Sequence, residues 1–431
     1  MNLQTSFQKL NQTGKAGNPM AGFRRQNFEL FSQQGLPTKA DEAWHYTSLK
    51  HLPESILEPE QETLKLSRKE LEGLLSTELN PAFNNIVLVN GILNEDLSDL
   101  KSLKPLQVSF VEDYFASSLY KSMDQARNQI GKIRTDSMEA LNLAFTNQVL
   151  LLELPADTSL SKPLHLIHYS SSEKSVYSKS FIRLAPGSKL SLIETYVSDS
   201  KKSLTNSGCD VFLENSSTLE YIRVQSEAAQ VIHLGRSRFF LEKQATLDAL
   251  SYATGALLSR HNLEVYCLGE QASATVNGLT LGAAHQHFDN HTLIDHVVGS
   301  CNTNQLYKSI LDGESRAVFN GRVLIRPKAQ KAASQQLNNN LLLSSKAEAD
   351  SKPELGIYAD DVKATHGSTV GQLDAEELFY FLSRAIPREK AVEMLSLGFV
   401  KELIDRVSNP SIQAWLQIRL LKAYQKMKGS L

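Results

Sequence analysis

From Val149 onward, apolar and polar residues alternate over short runs divided by polar turns, and for roughly two hundred residues no helical spacing interrupts them. Residues Arg260 to Cys267 show the period of two. His261, Leu263, Val265 and Cys267 fall on one face of an extended strand, and Asn262, Glu264 and Tyr266 on the other. On that pattern Cys267 is an ordinary core residue. A longer period lies over the short one. Leu184-Ala-Pro-Gly-Ser-Lys-Leu190, Leu213-Glu-Asn-Ser-Ser-Thr-Leu219, Leu241-Glu-Lys-Gln-Ala-Thr-Leu247 and Leu268-Gly-Glu-Gln-Ala-Ser-Ala274 align without gaps. Their starts at 184, 213, 241 and 268 lie 29, 28 and 27 residues apart. Each copy carries an apolar residue into a polar turn, then a small residue, then an apolar residue that opens the next strand. Such a unit cannot bury its apolar face alone, and stacking copies buries it. The pattern predicts a mainly β chain whose core is a β-helix, each period laying down an outgoing and a returning strand.

On either side the apolar spacing lengthens to three or four. Upstream, about residues 20 to 80 read as helices, with Phe23, Phe28, Leu30 and Phe31 broken at Gly35-Leu36-Pro37. Trp44 and Tyr46 are expected to pack rather than react. Ile86 to Val89 reads as a short strand turned at Asn90-Gly91, and Ser137 to Phe145 as a helix. Downstream, Asp374 with Glu377 forms a helix-starting cap, and that helix should run to about Ile386 before Pro387. Val392, Leu395, Phe399 and Leu403 form the next apolar stripe. After Asn409-Pro410 a last helix aligns Ile412, Leu416, Leu420 and Met427. The expected organisation is an N-terminal helical region with a short strand pair (1–147), a β-helix core (148–372) and a C-terminal helical region (373–431). The last helices either cap the open solenoid end or dock a partner, and the two roles are compatible.

Composition narrows the chemistry. A chain of 431 residues exceeds one ordinary domain, and its formal charge of -2 gives no field to recruit nucleic acid or an anionic membrane. Cys209, Cys267 and Cys301 are odd in number and widely spaced, and no Cys-x-x-Cys pair occurs. That argues against a disulfide framework, and against a cluster or zinc held permanently on cysteines alone. Without an apolar run of about 18 residues, or an apolar core behind a basic start in Met1 to Leu10, the cytoplasm is the expected location. No Gly-x-x-x-x-Gly-Lys-Ser/Thr loop is present, so nucleotide hydrolysis is assigned to another chain.

Two histidine settings stand out. His285, His287, His291 and His296, interleaved with Asp289 and Asp295, have chelating potential, since His285 and His287 would share a strand face. Satisfied, partly buried histidines are the commoner outcome. His366 lies in Asp360 to Asp374, between the strand region and the helices, with Gly367 and Gly371 read as turn residues. An imidazole there is suited to bind a metal or move a proton. The run Gln335 to Asn340 is read as a structural amide ladder.

The stretch Asp361-Val362-Lys363-x-x-His366-Gly367-x-Thr369-Val370-Gly371-x-Leu373-Asp374, with Leu378-Phe379-Tyr380-Phe381 and Ser383-Arg384, resembles the SufB/SufD family of iron-sulfur cluster assembly scaffolds. Further likeness lies in Gly35-Leu36-Pro37 with Glu42-x-Trp44-x-Tyr46-Thr47, in Ser315 to Gly321, in Ala329-Gln330-Lys331 and in Asn338-x-Asn340-Leu341-Leu342-Leu343. The resemblance implies a right-handed parallel β-helix, cytoplasmic and non-catalytic. It would pair with SufB through the β-helix ends and dock the ATPase SufC through the C-terminal helices. Asn338 stands where the SufB branch carries a cysteine, and His366 where the SufD branch carries a histidine, so the likeness is to the SufD branch. His366 is then the expected ligand of a transient iron-sulfur cluster shared with SufB, no cofactor being held stably by this chain alone. Ala364 departs from the cysteine of many relatives, which removes a second thiol, and Ala385 replaces a glycine after Ser383-Arg384. The competing expectations are a homodimeric scaffold without SufB and a β-helix enzyme acting on polysaccharide.

Overall fold

The computed structural model describes residues 3–12, 19–49, 52–60, 67–111, 125–126, 128–131, 135–146, 148–199 and 202–429. The core is a parallel β-solenoid of two facing sheets, one of ten strands and one of nine, with successive strands from Val149–Leu154 onward sent alternately to each. From Ser175–Leu184 to Lys363–Gly371 every strand pairs in parallel with the strand two before it. The first strands come from upstream of residue 147. Asn84–Val89 pairs in parallel with Leu164–Ser170, and Gln107–Val111 pairs antiparallel with Val149–Leu154. Asn147 itself lies outside the described residues.

The repeat is visible in the backbone. The fourth residue of each aligned copy, Gly187, Ser216, Gln244 and Gln271, has φ between +59° and +70°. Ser300 and Lys331 hold the same conformation in the next two coils. Only one of the six is glycine, and a left-handed residue with a Cβ costs roughly 1–2 kcal/mol. What offsets it is stacking: Ser216, Gln244, Ser300 and Lys331 each donate their N–H to a carbonyl of the next coil, at 2.9, 3.0, 2.8 and 2.6 Å. The small residue that follows points inward and is sealed: Ser188, Ser217, Ala245, Ala272, Cys301 and Ala332 form one buried column. Inside, Leu184, Leu213, Leu219, Leu241, Leu247, Val265 and Ile325 build the apolar core, each worth about 1.5–3 kcal/mol of burial.

Helices dress the flanks. Leu3–Gln12, Pro19–Gln34 and Ser137–Phe145 pack against the early coils through Phe7, Phe28, Phe31 and Phe145, with Phe7 and Phe28 stacked at 4.2 Å. Buried Arg238 ties Ser137–Phe145 down, meeting Glu139 at 3.1 Å and Glu264 at 2.9 Å. The helices Arg388–Asp405 and Pro410–Gly429 lie along the outer face of the ten-stranded sheet, against Ile193, Ile222, Leu250, Tyr252, Leu279 and Ile310. They cover the side of the solenoid, not its end. The expected face of the last helix is the buried one. In the helix before it the buried residues are Ala391, Ser396, Val400, Leu403 and Ile404, a stripe rotated from the one expected.

Candidate functional site

Among the described residues nothing covers the C-terminal end of the solenoid. Its last two strands, Glu348–Ile357 and Lys363–Gly371, each have one neighbour, so their outer backbone edges face solvent. Neither contains a buried residue. Apolar side chains surround this end, with Phe379, Tyr358 and Val370 exposed by 69%, 63% and 50%. The helix Ala375–Leu382, capped by Asp374 Oδ1 accepting from the N–H groups of Glu376 and Glu377, buries no residue either.

His366 lies within the last strand, not in a turn. Gly367 and Gly371 are strand residues too, without the left-handed backbone that a turn role would require. Ala364, two positions earlier on the same strand face, packs on the interior core, which sets His366 on the inward-facing row at the solenoid mouth. The ring is exposed and has no hydrogen bond to any described residue. Directly beneath it in register is Gln336, fully buried, with neither amide atom paired among the described residues. Gly321 makes room for that side chain, since a Cβ there would fall 1.6 Å from Gln336 Nε2. Nearby, Asn340 Nδ2 donates to Asn338 Oδ1 at 2.8 Å and Asn339 Oδ1 accepts from Thr369 at 3.1 Å, so part of the amide run is structural.

The four other histidines do not converge. His285 is exposed beside Glu314 at 3.2 Å. His287 and His291 face the N-terminal segment: Thr47 bonds His287 Nε2 at 2.9 Å and donates to Asp289 at 2.5 Å, and Asp289 holds His291 at 2.9 Å and Arg260. Burial would raise the Asp289 pKa, but Arg260 and His291 outweigh it and hold it well below the usual carboxylate range. Arg260 in turn stacks over Trp44 at 4.0 Å. This group anchors residues 44–47, and Trp44 packs as expected. His296 alone turns inward.

There it meets Cys301 and Cys267, the latter expected from its strand position to be an ordinary core residue. Ligand atoms of Cys267, His296 and Cys301 lie within 4.8 Å of one another, and all three residues are buried. The neighbouring Cys267 thiol, with His296 adding to the effect, holds the Cys301 thiol below its ordinary range against the opposing effect of burial. The signal was the repeat itself. Cys267 and His296 are register partners in adjacent coils, continuing the row of Leu241, and Cys301 occupies the small-residue column. The turn after Cys267 is one residue longer than the turn after Leu241, so the gapless alignment set Leu268 where the ladder places Cys267. Cys209 lies apart, its thiol pushed up by burial and by Glu194 and Asp210.

A second buried polar set occupies the middle coils. His168 meets Glu194 at 3.3 Å, Tyr221 donates to Glu194, Ser237 links Tyr221 to His261 at 3.1 and 3.0 Å, and His233 pairs with Glu227 at 2.6 Å. Burial works to raise Glu194, yet His168 and Tyr221 hold it at about 2. Burial drives His233 and His261 below the ordinary imidazole value.

Among the described residues no helix is long and apolar enough to cross a membrane. Residues 4–166 match the SufBD protein N-terminal region, and residues 167–399 match the SUF system FeS cluster assembly SufBD core domain. The chain is 29% identical to an iron-sulfur cluster assembly SufBD family protein of Synechocystis, over 96% of this chain and 93% of that one. It is 27% identical to the iron-sulfur cluster assembly protein SufD of Escherichia coli over 92% and 91%. It is 26% identical to the chloroplastic protein ABCI7 of Arabidopsis thaliana over 92% and 84%. With a continuous parallel solenoid, flanking helices and matches that together run from residue 4 to residue 399, the chain belongs to the SufB/SufD family and has a role in SUF iron-sulfur cluster assembly.

Proposed function

We propose that the chain is a SufD-type scaffold subunit that pairs with SufB through the uncovered solenoid end and lends His366 to an iron-sulfur cluster built at the joint. The observation that carries this reading is the contrast at that end: two unpaired strand edges, an apolar surround and an inward-row imidazole, all left open. The cluster is cargo. At this end the chain offers an imidazole but no thiol, since position 364 is alanine, so thiolate ligands have to come from the partner. Neutral imidazole supplies either an iron ligand or a proton acceptor.

The C-terminal region, 373–431, is the docking surface for the SufC ATPase. Its inner faces are sealed on the sheet, while Phe379, Tyr380, Met394, Ile418 and Leu421 remain exposed. ATP hydrolysis belongs to SufC, the chain itself is non-catalytic, and the complex works in the cytoplasm. Co-expression with SufB and SufC should recover all three chains together, whereas recovery of this chain only as a homodimer would refute the pairing. His366→Ala should leave both partners bound and lower the cluster absorbance formed on anaerobic reconstitution. Unchanged absorbance would remove the ligand role.

A further inference from the structure

At the corner where the nine-stranded sheet hands the chain to the ten-stranded one, the apolar column changes character for two coils. The row that reads Leu184, Leu213 and Leu241 continues as Cys267 and His296 before returning to Ile325. In the adjoining column of small residues, Ser188, Ser217, Ala245 and Ala272 are followed by Cys301 and then Ala332. Both departures fall together. We propose that Cys267, His296 and Cys301 form a mononuclear site for a divalent transition ion, zinc or ferrous iron, inside the solenoid. The site is separate from the open end and does not depend on the role given to His366.

The tautomer of His296 argues for it. The Thr303 hydroxyl donates to Ser334 Oγ at 2.9 Å, so its proton is committed. The 3.0 Å contact between Thr303 Oγ1 and His296 Nε2 is therefore donated by the ring, and the lone pair resides on Nδ1. That nitrogen is buried and, among the described residues, no donor meets it with hydrogen-bond geometry. Leaving a buried acceptor unpaired is unfavourable, and a ring N–H fixed by a hydroxyl is the outer-shell arrangement that orients a metal-binding imidazole.

The ligand set and the spacing agree. Two thiolates and an imidazole suit zinc and ferrous iron over magnesium or calcium. With metal–sulfur and metal–nitrogen bonds of about 2.3 and 2.1 Å, tetrahedral ligands stand roughly 3.5 Å apart, so ligand atoms within 4.8 Å of one another need only a small contraction. A fourth position remains, and the carbonyls of Gly269 and Gly299 both lie 3.4 Å from Cys301 Sγ. Entry is short because the preceding turn residue, Ser300, is exposed.

The test is a cobalt titration of the full-length chain, purified metal-free and kept reduced under anaerobic conditions. One equivalent of Co²⁺ should produce a thiolate-to-cobalt charge-transfer band with the strong visible absorption of a tetrahedral site, and Zn²⁺ should abolish both. Binding should weaken at least tenfold in Cys267→Ser, Cys301→Ser and His296→Gln, and stay unchanged in Cys209→Ala and His285→Ala. No such band in the wild-type chain would overturn the proposal, whatever the variants do. So would a band that survives the double change of Cys267 and Cys301 to serine, or a reduced chain that takes up no metal and instead forms a Cys267–Cys301 disulfide in air.

Discussion

The middle coils and the last coil are built from the same repeat yet treat their polar groups in opposite ways. Between Lys189 and Cys267 each strand has a neighbour on both sides, and interior charges such as Glu194, Glu227 and Arg223 are sealed and matched to partners. From Glu348 to Gly371 the strands have one neighbour and no buried residue, and His366 has no bonded partner among the described residues. Stacking supplies stability where it continues and leaves an unsatisfied surface where it stops. The middle is therefore where substitutions should cost folding, and the end is where they should cost association.

Acid should expose the middle first. His233 and His261 titrate below their unfolded value, so the unfolded chain binds more protons. Their contribution is complete above about pH 6.5 and fades as pH falls below it. Glu194, held at about 2 against an ordinary 4.5, adds stability that is complete above 4.5 and is lost as pH drops toward 2, on the order of 3 kcal/mol. Thermal midpoints should thus fall in two stages below neutrality, and Glu194→Gln should flatten the lower stage. Arg238→Ala removes the buried guanidinium shared by Glu139 and Glu264, which retain Arg236, and should cost about 3 kcal/mol in urea denaturation. Leu247→Pro removes a ladder hydrogen bond and a fully buried side chain and should cost about 3 kcal/mol or more. Gln244 would also resist proline, because its φ of +59° is outside the range of that ring, but Gln244→Gly should change stability by no more than about 0.5 kcal/mol. The smallest stability effect belongs to the end. Val370→Asp should change stability by no more than about 0.5 kcal/mol while reducing co-purification with SufB at least tenfold.

Much of this fold can be read from four aligned heptapeptides. Their fourth residues are the left-handed turn residues and their fifth are the sealed small ones. The same alignment concealed the metal-binding triad, because one extra turn residue after Cys267 moved it out of step with Leu241. His366 was recognisable as a candidate, but its glycine neighbours suggested a turn, whereas strand pairing with Gln336 and Leu337 keeps His366 and Gly367 extended. The rotated stripe in Arg388–Asp405 has another cause. Ala391 and Ser396 face the core while larger Val392 and Leu395 remain half-buried, so counting bulky apolar residues pointed to the wrong face.

The most direct measurement is backbone hydrogen exchange of the chain alone and in complex with SufB. If the open end is the joint, residues 348–371 exchange readily in the free chain and become protected in the complex, while Lys189 to Cys267 changes little. Unaltered exchange across 348–371 in a stable complex, with protection elsewhere, would contradict the account.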